Sequence, residues 1–232
     1  MNRRLAWILA FATFATLVGC SGSGSRANLA ESLLTVDDLE GPWSVNKGPA
    51  DVRLPESGVI TDAEREFLPK MDLCDAASQV SKDAIESLRW VEFRQFDLAV
   101  DDPVDVPRDR EGHMVFAQEF LLSGSSSDLS DALVRLSEGL DACVGDIPAG
   151  EEGPGTLTRF DPAPVGDQRL GAVYTIGEAG GAGTWYVYVV FVRSGSVLVS
   201  LSVADIVLGN LQPLIDRSAV DAITAAAVDK VD

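Results

Sequence analysis

Three stretches of the chain place apolar residues at every third or fourth position, which is the spacing of one face of an α-helix. They lie at about residues 73–88, at 127–143 and after Pro213. Ser127 is a candidate N-cap for the second helix, and Pro213 suits the first turn of the third. The three stripes consist of Leu73, Ala77, Val80, Ala84 and Leu88; of Leu129, Ala132, Leu133, Leu136 and Leu140; and of Val220, Ile223, Ala227 and Val231.

Other segments are rich in β-branched and aromatic residues, which predicts strands. The segment from Trp185 to Arg193 is apolar on both faces and is therefore expected to be central in a sheet. Ser194-Gly195 predicts a tight turn into a strand with one apolar and one mostly polar face. A change of phase at Arg94-Gln95 predicts a β-bulge. The predicted strands span 89–98, 114–122, 169–177, 185–193 and 197–203.

A short helix is predicted ahead of the first strand. Thr35 is a suitable N-cap, and the aspartates that follow it are favourable in a first helical turn. Gly41-Pro42 ends this turn, and Trp43 is expected to pack inward. Because no repeat or internal linker is visible, residues 32–232 are predicted to form one α+β domain. Its expected architecture is an antiparallel sheet of about five to six strands with amphipathic helices packed on one face.

The N-terminus has the pattern of a bacterial export signal. Arg3 and Arg4 precede an apolar or small run of about 15 residues, whereas a membrane-spanning helix, the alternative interpretation, needs roughly 20. The run ends in Leu17-Val18-Gly19-Cys20, which resembles a lipobox, where the cysteine is lipidated and becomes the mature N-terminus. Residues 1–19 are therefore predicted to be a lipoprotein signal peptide. The Ser/Gly-rich segment 20–31 is predicted to be the lipid-bearing, flexible tether.

The charge balance restricts the partners that this chain can have. It contains 18 basic and 36 acidic residues, and the predicted signal removes two basic residues and no acid, so the remainder carries a net charge of about −20. Nucleic acid is excluded as a partner, because its binding depends on Lys and Arg at the phosphates. A polybasic membrane patch is excluded too. The expected location is the extracytoplasmic face of the cell membrane, with attachment through the acyl anchor alone.

Two cysteines remain once Cys20 carries lipid. Cys74 lies at the start of the predicted helix 73–88, and Cys143 lies three residues beyond the stripe of the helix at 127–143. An isolated pair outside the cytoplasm is expected to be oxidised. Cys74 and Cys143 are therefore predicted to form a disulfide between adjacent antiparallel helices, with two unrelated buried thiols as the alternative.

Candidate chemistry is sparse, and neither a metal nor a cofactor is expected. His113 is the single histidine and no G-x-S-x-G nucleophile motif accompanies it, so His113 is not expected to be catalytic. The acidic loop 101–111 is interpreted as a solvated loop, because its spacing does not match a calcium-binding loop. The glycines at 177–183 connect two strands and lack the helix N-terminus of a phosphate site. Carboxylate-based cell-wall hydrolysis stays open as a less favoured function, since it needs only two acids.

The strand at 185–193 carries a surplus of apolar side chains. Its two faces are Trp185, Val187, Val189 and Phe191 on one side, and Tyr186, Tyr188, Val190 and Val192 on the other. One interpretation is a lipid-lined cavity against one face of the sheet. The other is a central strand covered on both sides by the rest of the protein.

Residues 113–232 resemble the extracellular sensor-like domains of actinobacterial lipoproteins and of mycobacterial PknH-type receptor kinases. The resemblance rests on the helix that leads into Cys143, on the hairpin turn at Arg193-Ser194-Gly195, and on the small-residue helix around Ala225-Ala226-Ala227. It implies a domain with helices packed on an antiparallel sheet, displayed outside the membrane and suited to binding a ligand or partner. Together with the sparse candidate chemistry, this predicts a non-catalytic domain that binds an unknown envelope protein, glycan or lipid. That family commonly has two disulfides, whereas this chain can form one. The alternative function is an envelope lipid carrier with an apolar cavity.

Overall fold

A computed structural model describes residues 26–47, 90–98, 112–150, 153–177 and 183–232. Eight strands form one antiparallel sheet in the order β1-β2-β3-β8-β7-β6-β5-β4. This confirms the α+β class. The strands are β1 (Trp43–Lys47), β2 (Trp90–Leu98), β3 (Gly112–Ser123), β4 (Gly145–Gly150), β5 (Gly153–Phe160), β6 (Gln168–Gly177), β7 (Gly183–Ser194) and β8 (Val197–Leu208). The helices are α1 (Arg26–Glu31), a 3-10 helix (Val36–Asp38), α2 (Ser126–Asp141) and α3 (Arg217–Asp229).

The β7–β8 hairpin forms the centre of the sheet. Its turn contains Gly195 at a φ of +57°, a left-handed conformation that glycine adopts without strain. The central position predicted for β7 is confirmed. The less apolar face predicted for β8 is not exposed to solvent, since Ser200 on that face is buried. The physical reason is that β8 lies between β3 and β7 and is covered on both sides.

Alternate residues of the central strands enter two separate cores. Val189 and Phe191 of β7 join the core beneath α2, whereas Val190 and Val192 join the core beneath α3. Because successive side chains of a strand point to opposite faces, the two helices cover opposite faces of the sheet. The sequence predicts helices on one face only, and the structure corrects this layering. A strand that is apolar on both sides requires a cover on each.

Three strands were not predicted. β1 is short, and β4 and β5 contain prolines and several glycines, which are depleted in strands. β1 and β4 are the two edge strands, where glycine and proline are tolerated because one side of the backbone needs no partner, and β5 lies between β4 and β6. The sheet therefore has eight strands where about five to six are expected from the pattern.

Four local predictions are corrected. The bulge lies in β1, where the register shifts between Val45 and Lys47, while β2 pairs with β3 without interruption. Ser125, rather than Ser127, is the N-cap of α2 and accepts the Asp128 N–H. Asp216 is the N-cap of α3, so Pro213 precedes the helix.

Residues 26–31, predicted as tether, form α1, and the buried Leu29 within it places the start of the domain before residue 32.

Other local predictions are confirmed. Thr35 begins the 3-10 helix, with a hydrogen bond from its N–H to an Asp38 carboxylate oxygen at 2.7 Å. Trp43 packs inward and is buried. The predicted helix 73–88, Cys20, Cys74 and the acidic loop 101–111 lie outside the described residues. Within the described part of the chain, the helices are too short or too polar to cross a membrane.

Candidate functional site

Two buried carboxylates lie on the face of the sheet that α3 covers. Glu119 on β3 and Asp205 on β8 are both 0% exposed. Glu119 is the register partner of Arg94 and Leu201, and Asp205 that of Val115. Neither acid was singled out from the sequence. The signal that could have found them is an acid inside an otherwise apolar strand, because an acid is almost never fully buried without partners.

The Asp205 carboxylate forms hydrogen bonds with three groups that belong to other segments of the chain. One carboxylate oxygen lies 3.0 Å from Nδ1 of His113, and the other accepts the N–H groups of Leu214 at 2.5 Å and Ile215 at 3.2 Å. The segment between β8 and α3 is thereby fixed over the sheet. His113 contacts a buried carboxylate, as in a catalytic dyad, and no nucleophile is bonded to it among the described residues. The contact joins the start of β3 to β8.

Glu119 holds the segment that precedes the sheet. Its Oε2 accepts the Leu34 N–H at 2.7 Å, and Arg94 donates from Nη1 to the Leu34 carbonyl. Burial raises the pKa of Glu119 from 4.5 to about 8. The second oxygen, Oε1, is buried without a hydrogen-bond partner among the described residues.

The two acids do not form the acid pair of a glycosidase. On the register, Glu119 and Asp205 are offset by four residues along neighbouring strands, which separates their backbones by about 14 Å. Retaining and inverting enzymes hold their carboxyl groups about 5 to 9.5 Å apart around an accessible sugar. Both side chains are also closed to solvent. In the described part of the chain, no group of three or more His, Cys, Asp or Glu residues could hold a metal.

About half of β7 is covered by other parts of the protein. Residues 189–192 are buried, whereas residues 184–188 are half-buried on both faces. Tyr188 belongs to the half-buried part, where burial and the nearby charge of Asp216 raise its pKa. Packing against α2 and α3 thus favours the interpretation of a covered central strand. The first half of β7 is less covered than the second half.

A solvent-open groove lies on the opposite side of the sheet, between α2 and strands β5 and β6. Its volume is about 410 Å³. Leu133 and Leu170 in its lining are buried, while Val134 is exposed. The lining residues are Leu133, Val134, Ser137, Arg159, Asp161, Gln168, Arg169 and Leu170.

Two arginines in the groove are held by neighbouring groups. Arg159 forms an ion pair with Asp141 at 2.6 Å and donates to the carbonyls of Ser137 and Gly171. Each contact fixes the guanidinium between α2 and β6. The groove therefore has a pre-ordered polar side.

Arg169 is fixed in a similar way on the β6 side of the groove. It binds both carboxylate oxygens of Asp161, at 2.9 and 3.2 Å, and the carbonyl of Pro162. Such bidentate pairs are geometrically specific. The sequence analysis did not identify this groove, because its residues come from three segments that only the fold brings together.

The fold is similar to that of the extracellular domain of PknH from Mycobacterium tuberculosis, with a TM-score of 0.58 and 11% identity over 89% of this chain and 96% of that chain. A structure of an uncharacterized protein from Mycobacterium smegmatis has a TM-score of 0.27 at 12% identity, over 65% of this chain and 73% of that chain. No protein-family model and no curated protein matches. The predicted PknH-type resemblance is confirmed as a resemblance of fold, and it extends beyond residues 113–232.

We predict that Asp205 stabilises the domain through the segment that it holds. Asp205→Ala leaves two backbone N–H groups and the His113 ring without their acceptor, and it should lower the free energy of unfolding by about 3 kcal/mol. Asp205→Asn keeps one acceptor oxygen and should cost less. Urea unfolding followed by circular dichroism measures both. Equal stability of wild type and Asp205→Ala would contradict this role.

Proposed function

We propose that this chain is a lipid-anchored, extracytoplasmic domain that binds a ligand or partner without catalysis. The observation that carries the proposal is the α2–β6 groove. Its volume of about 410 Å³ falls within the range of ligand sites. The fold similarity to an extracellular domain and the predicted lipobox support the location.

The groove suits a segment of another molecule better than an enclosed acyl chain. Val134 offers an exposed apolar contact above the buried Leu133 and Leu170, and the ion-paired Arg159 and Arg169 supply a polar side. An apolar centre with a polar rim is the usual anatomy of a recognition surface. Because the groove is open to solvent, bound acyl chains would stay in contact with water there.

The first prediction concerns this groove. Val134 and Val144 are 53% and 52% exposed, and only Val134 lines the groove, so they form a matched pair. A photo-crosslinking amino acid placed at position 134 in the living host should give a discrete crosslinked species. The same substitution at position 144 should not. Equal crosslinking at the two positions, or none at 134, would remove the groove from the proposal.

The second prediction concerns the anchor. Cys20 is proposed to carry diacylglycerol and to begin the mature protein. Mass spectrometry of the membrane-extracted protein should show the lipid mass on an N-terminal Cys20 peptide, and Cys20→Ala should leave the membrane fraction. A Cys20→Ala protein that remains wholly in the membrane would contradict the anchor.

The third prediction concerns the cysteine pair. Cys143 is buried directly after α2, where a bridge would be shielded from solvent. A Cys74–Cys143 disulfide closes a loop of about 70 residues and would stabilise the fold by roughly 4 kcal/mol in the chain-entropy model. Peptide mapping without reductant should recover the two peptides as one species. Two separately alkylated thiols would refute the bridge.

The second candidate function is a lipid carrier, favoured by the half-buried start of β7 with Trp185, Tyr186 and Tyr188. Native mass spectrometry of protein from its own host separates the two functions. A binding domain should carry no lipid beyond its anchor. A carrier should retain lipid in stoichiometric amount, and that result would replace the proposal.

A further inference from the structure

We propose that residues 29–40, which we call the strap, form a releasable cover of the sheet, and that Glu119 is the latch that holds or frees it according to its protonation. The strap precedes β1 and crosses the α3 side of the sheet. Its four leucines, Leu29, Leu33, Leu34 and Leu39, are buried in the core on that side.

Two charged side chains bind the backbone of the strap at a single residue, Leu34. Glu119 and Arg94 are register partners on β3 and β2. Glu119 accepts the N–H of Leu34, and Arg94 donates to the carbonyl of the same residue. The two side chains thus satisfy both backbone groups of Leu34, which a partner strand does for the residues within the sheet. If these two contacts were lost, the N–H and the carbonyl of Leu34 would need water as their hydrogen-bond partner.

The charged groups that face Glu119 come from three elements. Arg94 on β2 and Lys230 after α3 favour its charged form, and Asp38 in the 3-10 helix opposes it. Lys230 is itself paired with Asp38 at 2.8 Å. The β8 partner of Glu119 is Leu201, which is apolar. Arg94 therefore faces a carboxylate that is closed to water, while Lys230 is shared with Asp38.

The uncharged form of Glu119 suits this environment. Burial outweighs the favourable contacts and raises the pKa to about 8. Oε1 is buried without a partner among the described residues, and a negative charge costs more in such a position than a neutral carboxyl group. Opening of the strap admits water, which returns the carboxyl group to its ordinary pKa of 4.5. Opening is therefore coupled to the release of one proton.

The direction of the pH effect follows from this coupling. The closed state binds the proton more tightly than the open state, so the latch is fully closed below about pH 4.5 and weakens as the pH rises to about 8. Within this window, proton linkage raises the opening equilibrium constant by up to about tenfold per pH unit. Above about pH 8 both states are charged, and the dependence ends.

Release of the strap has a consequence that rests on the proposed lipid anchor. With the strap seated, five residues separate Cys20 from α1, whereas with the strap free 22 residues separate Cys20 from β1. The latch would thus let ambient pH set how far the domain reaches from the membrane.

Hydrogen exchange of the Leu34 amide tests the latch in the purified full-length protein. Glu119→Gln is the matched variant, since its amide oxygen still accepts the Leu34 N–H and does not titrate. We expect the ratio of exchange rates, wild type over Glu119→Gln, to rise by up to tenfold per pH unit between pH 5.5 and 8. The intrinsic pH dependence of exchange cancels in this ratio. A ratio that is constant with pH would overturn the proposal.

Two controls separate a local latch from a general loss of stability. The Val190 amide of β7 should exchange far more slowly than the Leu34 amide at every pH, because it opens only when the whole domain unfolds. Equal opening free energies at Leu34 and Val190 would refute a local strap. Arg94→Met removes the carbonyl's donor and should raise Leu34 exchange while a dependence on pH remains. None of these measurements requires lipid or a bound partner. Their failure would leave the groove proposal standing, and a failure of the groove would leave the latch standing.

Discussion

The fold depends on the burial of two central strands on both of their faces. β7 and β8 are apolar at nearly every position, so each face of the hairpin must be removed from water by another layer. α2 supplies the layer on one face. α3, the strap and the segment after β8 supply it on the other. A sheet covered in this way cannot leave its second face to solvent, as many antiparallel sheets do.

This constraint explains why two acids are buried on the α3 side. Leu34, Leu214 and Ile215 lie outside the regular strands and helices, so their backbone N–H groups need acceptors that an apolar sheet face cannot provide. Glu119 accepts from Leu34, and Asp205 accepts from Leu214 and Ile215. The two carboxylates thus fasten the covering segments to the sheet. The two carboxylates differ in their hydrogen bonds. Both oxygens of Asp205 have a partner, whereas among the described residues only Oε2 of Glu119 has one.

The sequence predicted the parts of the fold that have strong periodicity. The stripe of α2, the two-sided apolar pattern of β7 and the turn at Gly195 all lie where the pattern places them. The layering was missed because a period of two shows that both faces of β7 are apolar without showing which helix covers which face. β4 and β5 were missed because their glycines and prolines are depleted in strands and typical of loops.

The candidate sites were less predictable than the fold. The groove joins Val134 of α2 to Arg159 of β5 and Arg169 of β6, and no spacing along the chain indicates that these residues meet. Asp205 and Glu119 look like ordinary acids in a chain with 36 of them. Only their burial, and the backbone groups that they bind, distinguish them. His113 is the opposite case. As the single histidine it is easily singled out in the sequence, and in the structure its contact is with the buried Asp205.

The most direct test of two-sided covering is a distance between the two helices. Spin labels on Arg135→Cys in α2 and Ala222→Cys in α3 occupy exposed positions. Helices on opposite faces have the sheet between them, with about 10 Å from layer to layer, so outward-pointing labels should lie more than about 30 Å apart by pulsed electron paramagnetic resonance. Neighbouring helices on one face pack with axes about 8 to 10 Å apart. A label distance of about 10 to 20 Å would therefore contradict the account.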